Sequence, residues 1–326
     1  MRRVIAVAAA ALLCAHAPGS AAQEWKPARH VEIAAPSAAG GGSDTLARLA
    51  QKLLQEHKLV AQTISVVNKP GAGGAIAWTG LNQHAGDAHH IAISTANLLT
   101  NHITGASALH YTELTPLAQL FSEPVGIAVR ADSPVKSGRE LIARLKADPA
   151  ALSAAVGTSL GNSGHITLAL VTRAAGGDAK KLKAVVFSAA AQGMTALLGG
   201  HVDLVASPVS NLVPHLQGGK IRILAVSAPL RLGGALAEAP AWRELGANVV
   251  IDNLRGVVGP KGLSAPQIAY WEAVLKRMTG TDEWKTRLEQ NAWTDTFTGA
   301  AGSARELKLQ HDEMRAGLAE LGLAKN

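Results

Sequence analysis

From residue 30 onward, short apolar runs alternate with longer amphipathic ones, the pattern that predicts βα units and a largely parallel sheet. HVEIAAP (30–36) predicts a strand, and the segment after it places Leu46, Leu49, Ala50, Leu53 and Leu54 on one helical face. TISVVNKP and HHIAISTAN predict the next strands, with the helix AIAWTGLNQH between them. LTPLAQLFSEPVGIAVR supplies two further strand-like runs, separated by Glu123 and Pro124. The alternation then resumes: helix SGRELIARLKAD, strand LSAAV, loop GTSLGNSGH, helix ITLALVTRAAGG, strand LKAVVF, helix AQGMTALLGG, strand VDLVAS, helix VSNLVPHLQGG, strand IRILAVSA. After Pro229 come a loop rich in Gly and Ala, the short helix APAWRELG, a strand-like NVVIDNLRGVVGPKG and the closing helices SAPQIAYWEAVLKRMTG and SARELKLQHDEMRAGLAEL.

Two α/β blocks meeting near Ser122 to Gly126 predict two lobes with a ligand in the cleft between them. In open α/β sheets the ligand sits beyond the carboxyl ends of the strands, which singles out SAAGGGSD, NKPGAGG, STAN, GTSLGNSGH, FSAAAQG and the end of VDLVAS. The first of these puts consecutive glycines ahead of a helix. Glycine lets backbone N–H groups turn to one point, and a helix start adds unpaired donors and partial positive charge, so the loop suits an anion. The competing reading is that Ser43 or Asp44 caps the helix and the glycines are only a turn. No Lys follows in a phosphate-loop pattern, and Gly71 and Gly73 are followed by Ile76 where a dinucleotide fingerprint needs glycine.

Gly157, Thr158, Ser159, Leu160 and Gly161 spell the G-x-S-x-G of a serine-hydrolase nucleophile elbow. A hydrolase would bring a later acid and histidine to Ser159, with Asp178 or Asp203 and His215 or His311 as candidates. Against it, Gly161, Asn162, Ser163 and Gly164 continue the loop, predicting a helix that starts near Gly164 rather than at Ser159. His84, His89 and His90 cluster in sequence, but strand neighbours point to opposite faces and no helical H-x-x-x-H pair completes a site, so they read as surface histidines at a turn. No metal and no cofactor are expected, and Trp25, Trp78, Trp242, Trp271, Trp284 and Trp293 read as packing residues.

Composition narrows the classes. The 326 residues are 48% hydrophobic, enough for proper cores. MRRVIAVAAAALLCAHAPGSAA has the charged start, short apolar run and small-x-small end of a secretory signal, predicting cleavage after Ala22. Leu13 is too bulky for the position before a lipid-anchored Cys14, and the apolar run is too short to span a bilayer. Loss of residues 1–22 removes Cys14, the one cysteine, and with Arg2 and Arg3 lowers the net charge from +7 to +5. The remaining basic residues are interspersed with acidic ones and aromatics make up 3%, which argues against a nucleic-acid partner. A mild positive field suits a small anionic ligand.

The stretches PSAAGGGSDTLARLAQKL, VVNKPGAGGAIA, GTSLGNSGH, ALLGGHVDLVAS, HLQGGKIRILAVSAPLR and GVVGPKGLSAP, in this order, resemble the Bug-type periplasmic receptors of tripartite tricarboxylate transporters. The resemblance implies an α/β, two-lobed Venus-flytrap fold of the type II kind, each lobe a mainly parallel sheet flanked by helices. It divides the chain into 23–124 with 229–326 as one lobe and 125–228 as the other. It also implies a monomeric, non-catalytic receptor that passes a small organic acid to inner-membrane permease subunits. A ligand-sensing module for a membrane sensor would share the fold. Carried over by position, the site comprises Ser37, Ala38, Ala39, Ser43 and Asp44, then Ala72 and Gly73, then Thr95 and Asn97. The second lobe adds Leu160, Gly161, Asn162 and Ser163 with His165 behind them, Ser188 and Ala189, and Asp203, which either orients a ligand group or caps a turn. Relatives carry an aromatic where this chain has Ser37 and a Tyr-Lys-Gly-like run where it has Phe187, Ser188 and Ala189, so ligand identity does not carry over.

Overall fold

The computed structural model describes residues 24–325; the signal-peptide reading falls on residues outside these. β1 (Val31–Ala35) lies between β2 (Ile64–Asn68) and β3 (His90–Ser94), parallel to both. α1 (Gly42–Glu56) connects β1 to β2 and buries Leu46, Leu53 and Leu54. Its apolar face meets α8 (Ala265–Thr279) and α9 (Asp282–Asn291) in a core that contains Trp271, Trp284 and Trp293. α2 (Ala75–Asn82) and α3 (Asn97–Ile103) complete this half.

A second parallel set forms around β5 (Ser153–Val156), flanked by β6 (Lys183–Val186) and β7 (Leu204–Pro208). α4 (Gly138–Ala147), α5 (Ser163–Ala174), α6 (Ala190–Leu198) and α7 (Val213–Gln217) cover its faces, leaving separate cores on the two sides of the sheet.

The two runs expected around Glu123 are one strand, β4 (Thr115–Arg130). Residues 115–124 pair antiparallel with β9 (Asp252–Gly259), and Thr294–Gly299 (β10) adds to the same stretch. From Val125 onward the partners are β7 and β8 (Ile221–Val226), also antiparallel. Pro124, which has no N–H to give, falls where the ladder changes partners, so the strand runs on without losing a bond there. β9 in turn pairs antiparallel with β3, which completes the sheet order β2-β1-β3-β9-β4-β7-β5-β6. The sheet is therefore mixed: parallel within each block and antiparallel along the strands that join them. α10 (Ala300–Glu320) closes the chain against α3 and β4. Among the described residues no helix is long and apolar enough to cross a membrane.

Candidate functional site

A cavity of about 80 Å3 opens at the carboxyl ends of β1, β3, β5 and β7, where Pro36, Thr95, Gly157 and Pro208 line it. α1 starts at its wall with Gly41, Gly42 and Ser43, α5 with Asn162 and Ser163, and α6 with Ala189 and Ala190. The first-turn N–H groups of a helix have no partner within the helix, and each start carries roughly half a positive charge. Three such starts around one cavity present backbone donors and partial positive charge to it, a surface whose chemistry suits an anion.

Local chemistry sets each start. Asn162 caps α5 by accepting from His165 N (3.0 Å), so the helix begins four residues beyond Ser159 rather than at it. Behind the cap, the Nδ1 of buried His165 accepts the N–H of Gly161 (2.9 Å), and burial pulls the imidazole pKa below its ordinary value. Gly164 has no room for a side chain: a Cβ there would stand 2.2 Å from Ala206 O on β7. At α1, Asp44 accepts from Gly40 N (2.9 Å), Asn68 Nδ2 (2.9 Å) and Arg48 Nε (2.9 Å). Burial alone raises the Asp44 pKa, but these bonds outweigh it and hold the carboxyl below its usual range.

Of the residues singled out in the sequence, Ser37, Ser43, Gly73, Thr95, Asn97, Asn162 and Ser163 line the cavity. The others do not. Asp44 fixes the glycine loop from behind, as His165 and Gly161 fix the second loop. Ala39 and Leu160 face solvent, while Ala38 accepts the turn bond from Gly41 N and Ala72 accepts from Asn101 Nδ2. Ser188 bonds Gln192, leaving its neighbour Ala189 at the cavity. Asp203 stands at the opposite end of the sheet: it precedes β7 and accepts both the N–H and the hydroxyl of Ser153 (2.7 Å each). Of its two readings, the turn cap fits this position and a ligand contact does not.

The sequence reading missed Arg255, Asn253, Asn211 and Ser207, which also line the cavity. Antiparallel pairing of β9 on β3 (Ser94 opposite Gly256) brings Arg255 to the carboxyl end of β3. Its Nε donates to Glu123 Oε1 (3.2 Å), a carboxylate that is 1% exposed. The other oxygen of Glu123 accepts from Ser210 Oγ (2.5 Å) and Trp293 Nε1 (3.2 Å). The only sequence signal was a charge in the middle of an apolar strand, which needs a partner when buried.

Ser159 sits at the rim. Its hydroxyl accepts from Asn97 Nδ2 (3.0 Å) and donates to Asn101 Oδ1 (3.4 Å), and Asn97 Nδ2 also reaches Thr158 Oγ1 (3.0 Å) and Gly73 O (3.2 Å). These bonds tie α3 to the loop after β5. Gly73 is required there twice: its φ is +63°, and a Cβ would lie 2.7 Å from Ser159 Oγ. The partners of the Ser159 hydroxyl are amides, not bases. Of the candidate histidines, His215 lies on α7 and His311 packs against Tyr111.

Away from the cavity, ligand atoms of His84, Asp87 and His90 lie within 4.8 Å of one another. The His84 and His90 rings are stacked, centroids 3.8 Å apart and planes 14° from parallel, so their in-plane lone pairs do not converge on one point. Asp87 is bonded to Arg29 (2.5 Å) and His89 (2.6 Å).

The sequence profile of the tripartite tricarboxylate transporter family receptor matches residues 46–298. A curated protein of Cupriavidus necator, named for the 5' region of gbd, is 26% identical over 325 residues, covering 99% of this chain and 97% of its own. MatC from Rhodopseudomonas palustris with bound malate superposes with a TM-score of 0.82 at 24% identity, over 90% of this chain and 99% of its own. The R. palustris protein Rpa4515 with adipate does so at 0.83 and 24%, over 91% and 99%. These two likenesses are of fold. The profile match spans most of the described residues, and with it the chain belongs to the tripartite tricarboxylate transporter receptor family of periplasmic solute-binding proteins.

Proposed function

We propose that this chain captures a small carboxylate ligand in the cavity and encloses it by hinge closure, for delivery to inner-membrane permease subunits. One observation carries the reading: three helix starts, from both parallel blocks, meet at one cavity. The moving bodies are 24–124 with 252–325 and 125–251: residues 229–251, expected with the first lobe, pack through Leu236, Ala239, Trp242, Ala247 and Val249 against the second, and the change of β4 partners between Pro124 and Val125 supports a hinge there. Ser37, Ser43, Thr95, Asn97, Asn162 and Ser163, joined by Asn211 and Arg255, are the side chains offered to the ligand. The receptor acts as a monomer, is exported by residues 1–22 and carries out no chemistry on its ligand.

The relatives' malate and adipate support the carboxylate class. Thermal unfolding of the chain from Gln23 onward against mono-, di- and tricarboxylates, amino acids and nicotinate-like acids tests it. An acid at about 100 times its dissociation constant adds roughly 2.7 kcal/mol of stability; a panel in which no acid raises the melting temperature refutes the carboxylate reading.

A further inference from the structure

Arg255 is the one cationic side chain that lines the cavity among the described residues, and its side chain is 10% exposed. Its Nε is held by Glu123, and the Asn253 amide oxygen, with the amide turned to satisfy its neighbours, accepts from Nη2 (3.1 Å). Nη1 has no hydrogen-bond partner among the described residues. Nη2 lies beside the start of α1, 3.5 Å from where a Cβ of Gly42 would be. A guanidinium and a helix start thus stand together on one wall. Glu123 does not compete for the remaining edge, because it is gripped from the far side by Ser210 and Trp293. Arg255 has no fully buried polar atom left without a partner, so water in the cavity reaches its open edge and a ligand acceptor can take that water's place.

The facing walls carry the starts of α5 and α6 with the Asn162 and Ser163 side chains. The cavity therefore has anion-accepting groups from both parallel blocks. No Asp or Glu lines it among the described residues, so no carboxylate there pairs with an ammonium group. Resting on the carboxylate reading above, we propose that Arg255 is the specificity-determining residue of this cavity. It takes a second acid group, which makes the ligand class organic diacids without an amino substituent. Glu123 is a positioning residue that presents the terminal edge of Arg255.

Titration calorimetry of the chain from Gln23 onward with malonate, succinate, butyrate and aspartate tests this. The diacids bind at least about tenfold more tightly than butyrate, and succinate more tightly than aspartate. Arg255→Met weakens diacid binding by about 10- to 100-fold, the range for loss of a charge-assisted pair, and changes butyrate binding less than about threefold. Arg255→Lys keeps part of the preference for diacids. Because Arg255→Met strands a buried carboxylate, the double variant Glu123→Gln/Arg255→Met is measured beside it; if only the double variant folds, its selectivity decides. Equal binding of succinate and butyrate by the unmodified chain, or diacid binding untouched by loss of Arg255, overturns the role of Arg255 and leaves the receptor reading standing. Binding of no acid at all overturns both.

Discussion

Replacing Asn97 and Ser159 separates a rim latch from a nucleophile. The Asn97 amide has two hydrogens and three oxygens within 3.2 Å: Thr158 Oγ1, Ser159 Oγ and Gly73 O. With Ser159→Ala the amide retains two acceptors and the long bond to Asn101 Oδ1 (3.4 Å) is also lost, together about 0.5–1.5 kcal/mol. With Asn97→Ala both bonds to the loop after β5 go, about 1–3 kcal/mol, or roughly 5- to 150-fold in the closure equilibrium. If the ligand is held in the closed form and the free protein is mostly open, that factor passes into the dissociation constant. Calorimetry with succinate on the single and double variants measures it. The cycle should show a coupling of at least about 0.5 kcal/mol, because the two residues share one bond. An Asn97→Ala variant that binds as tightly as the unmodified chain refutes the latch. Stoichiometric labelling of Ser159 by a fluorophosphonate, lost in Ser159→Ala, refutes the whole assignment of this loop to binding.

Three other outcomes follow from the geometry. Gly164→Ala drives a methyl into Ala206 O, where the gap is 2.2 Å; α5 must shift, lowering stability by at least about 1–3 kcal/mol in urea unfolding and weakening binding with it. Asp203→Ala loses two bonds to Ser153 and costs about 1–3 kcal/mol, yet leaves the dissociation constant unchanged; a binding defect in a folded Asp203→Ala protein would restore its ligand role. His165 titrates lower folded than unfolded, so between those values the unfolded chain holds more protons. Its contribution is therefore complete above about pH 6.5 and fades as the pH falls toward the folded pKa. His165→Asn, which keeps an acceptor for Gly161 N–H, should flatten that part of the urea midpoint between pH 5 and 8; an unchanged profile shows that His165 is not responsible.

The cavity-forming loops were legible because their signals are local. A glycine run before an amphipathic helix, or Asn and Ser at a helix start, imposes its geometry within a few residues, and Ser37, Ser43, Asn162 and Ser163 line the cavity. Asp203 could have been excluded on the same footing, since it precedes its strand and ligand sites lie beyond the carboxyl ends. α3 was hidden for the opposite reason: Asn97–Ile103 has no side-chain cap and spans seven residues, so nothing local distinguishes it from a loop. β10 reads TDTFTG with a mostly half-exposed face, and its strand character comes from pairing with β4.

β4 shows where local reading ends. An acid followed by proline inside an apolar run is a break signal, and in an isolated segment Glu123 would take the chain to water. Here it stays 1% exposed because its donors, Ser210, Arg255 and Trp293, arrive from three distant segments. Two of them belong to the lobe of β9 and β10 and one follows β7 in the other. The residue that looks like a break is therefore the joint, and the arginine it holds faces the cavity from β9, far along the chain from the glycine loop it adjoins. No spacing pattern connects Glu123, Arg255 and Gly42; antiparallel pairing of β9 with both β3 and β4 does. A buried acid within a strand that joins two α/β blocks is thus evidence for a distant cation. In a receptor, the surface opposite that acid is where a ligand charge has reason to sit.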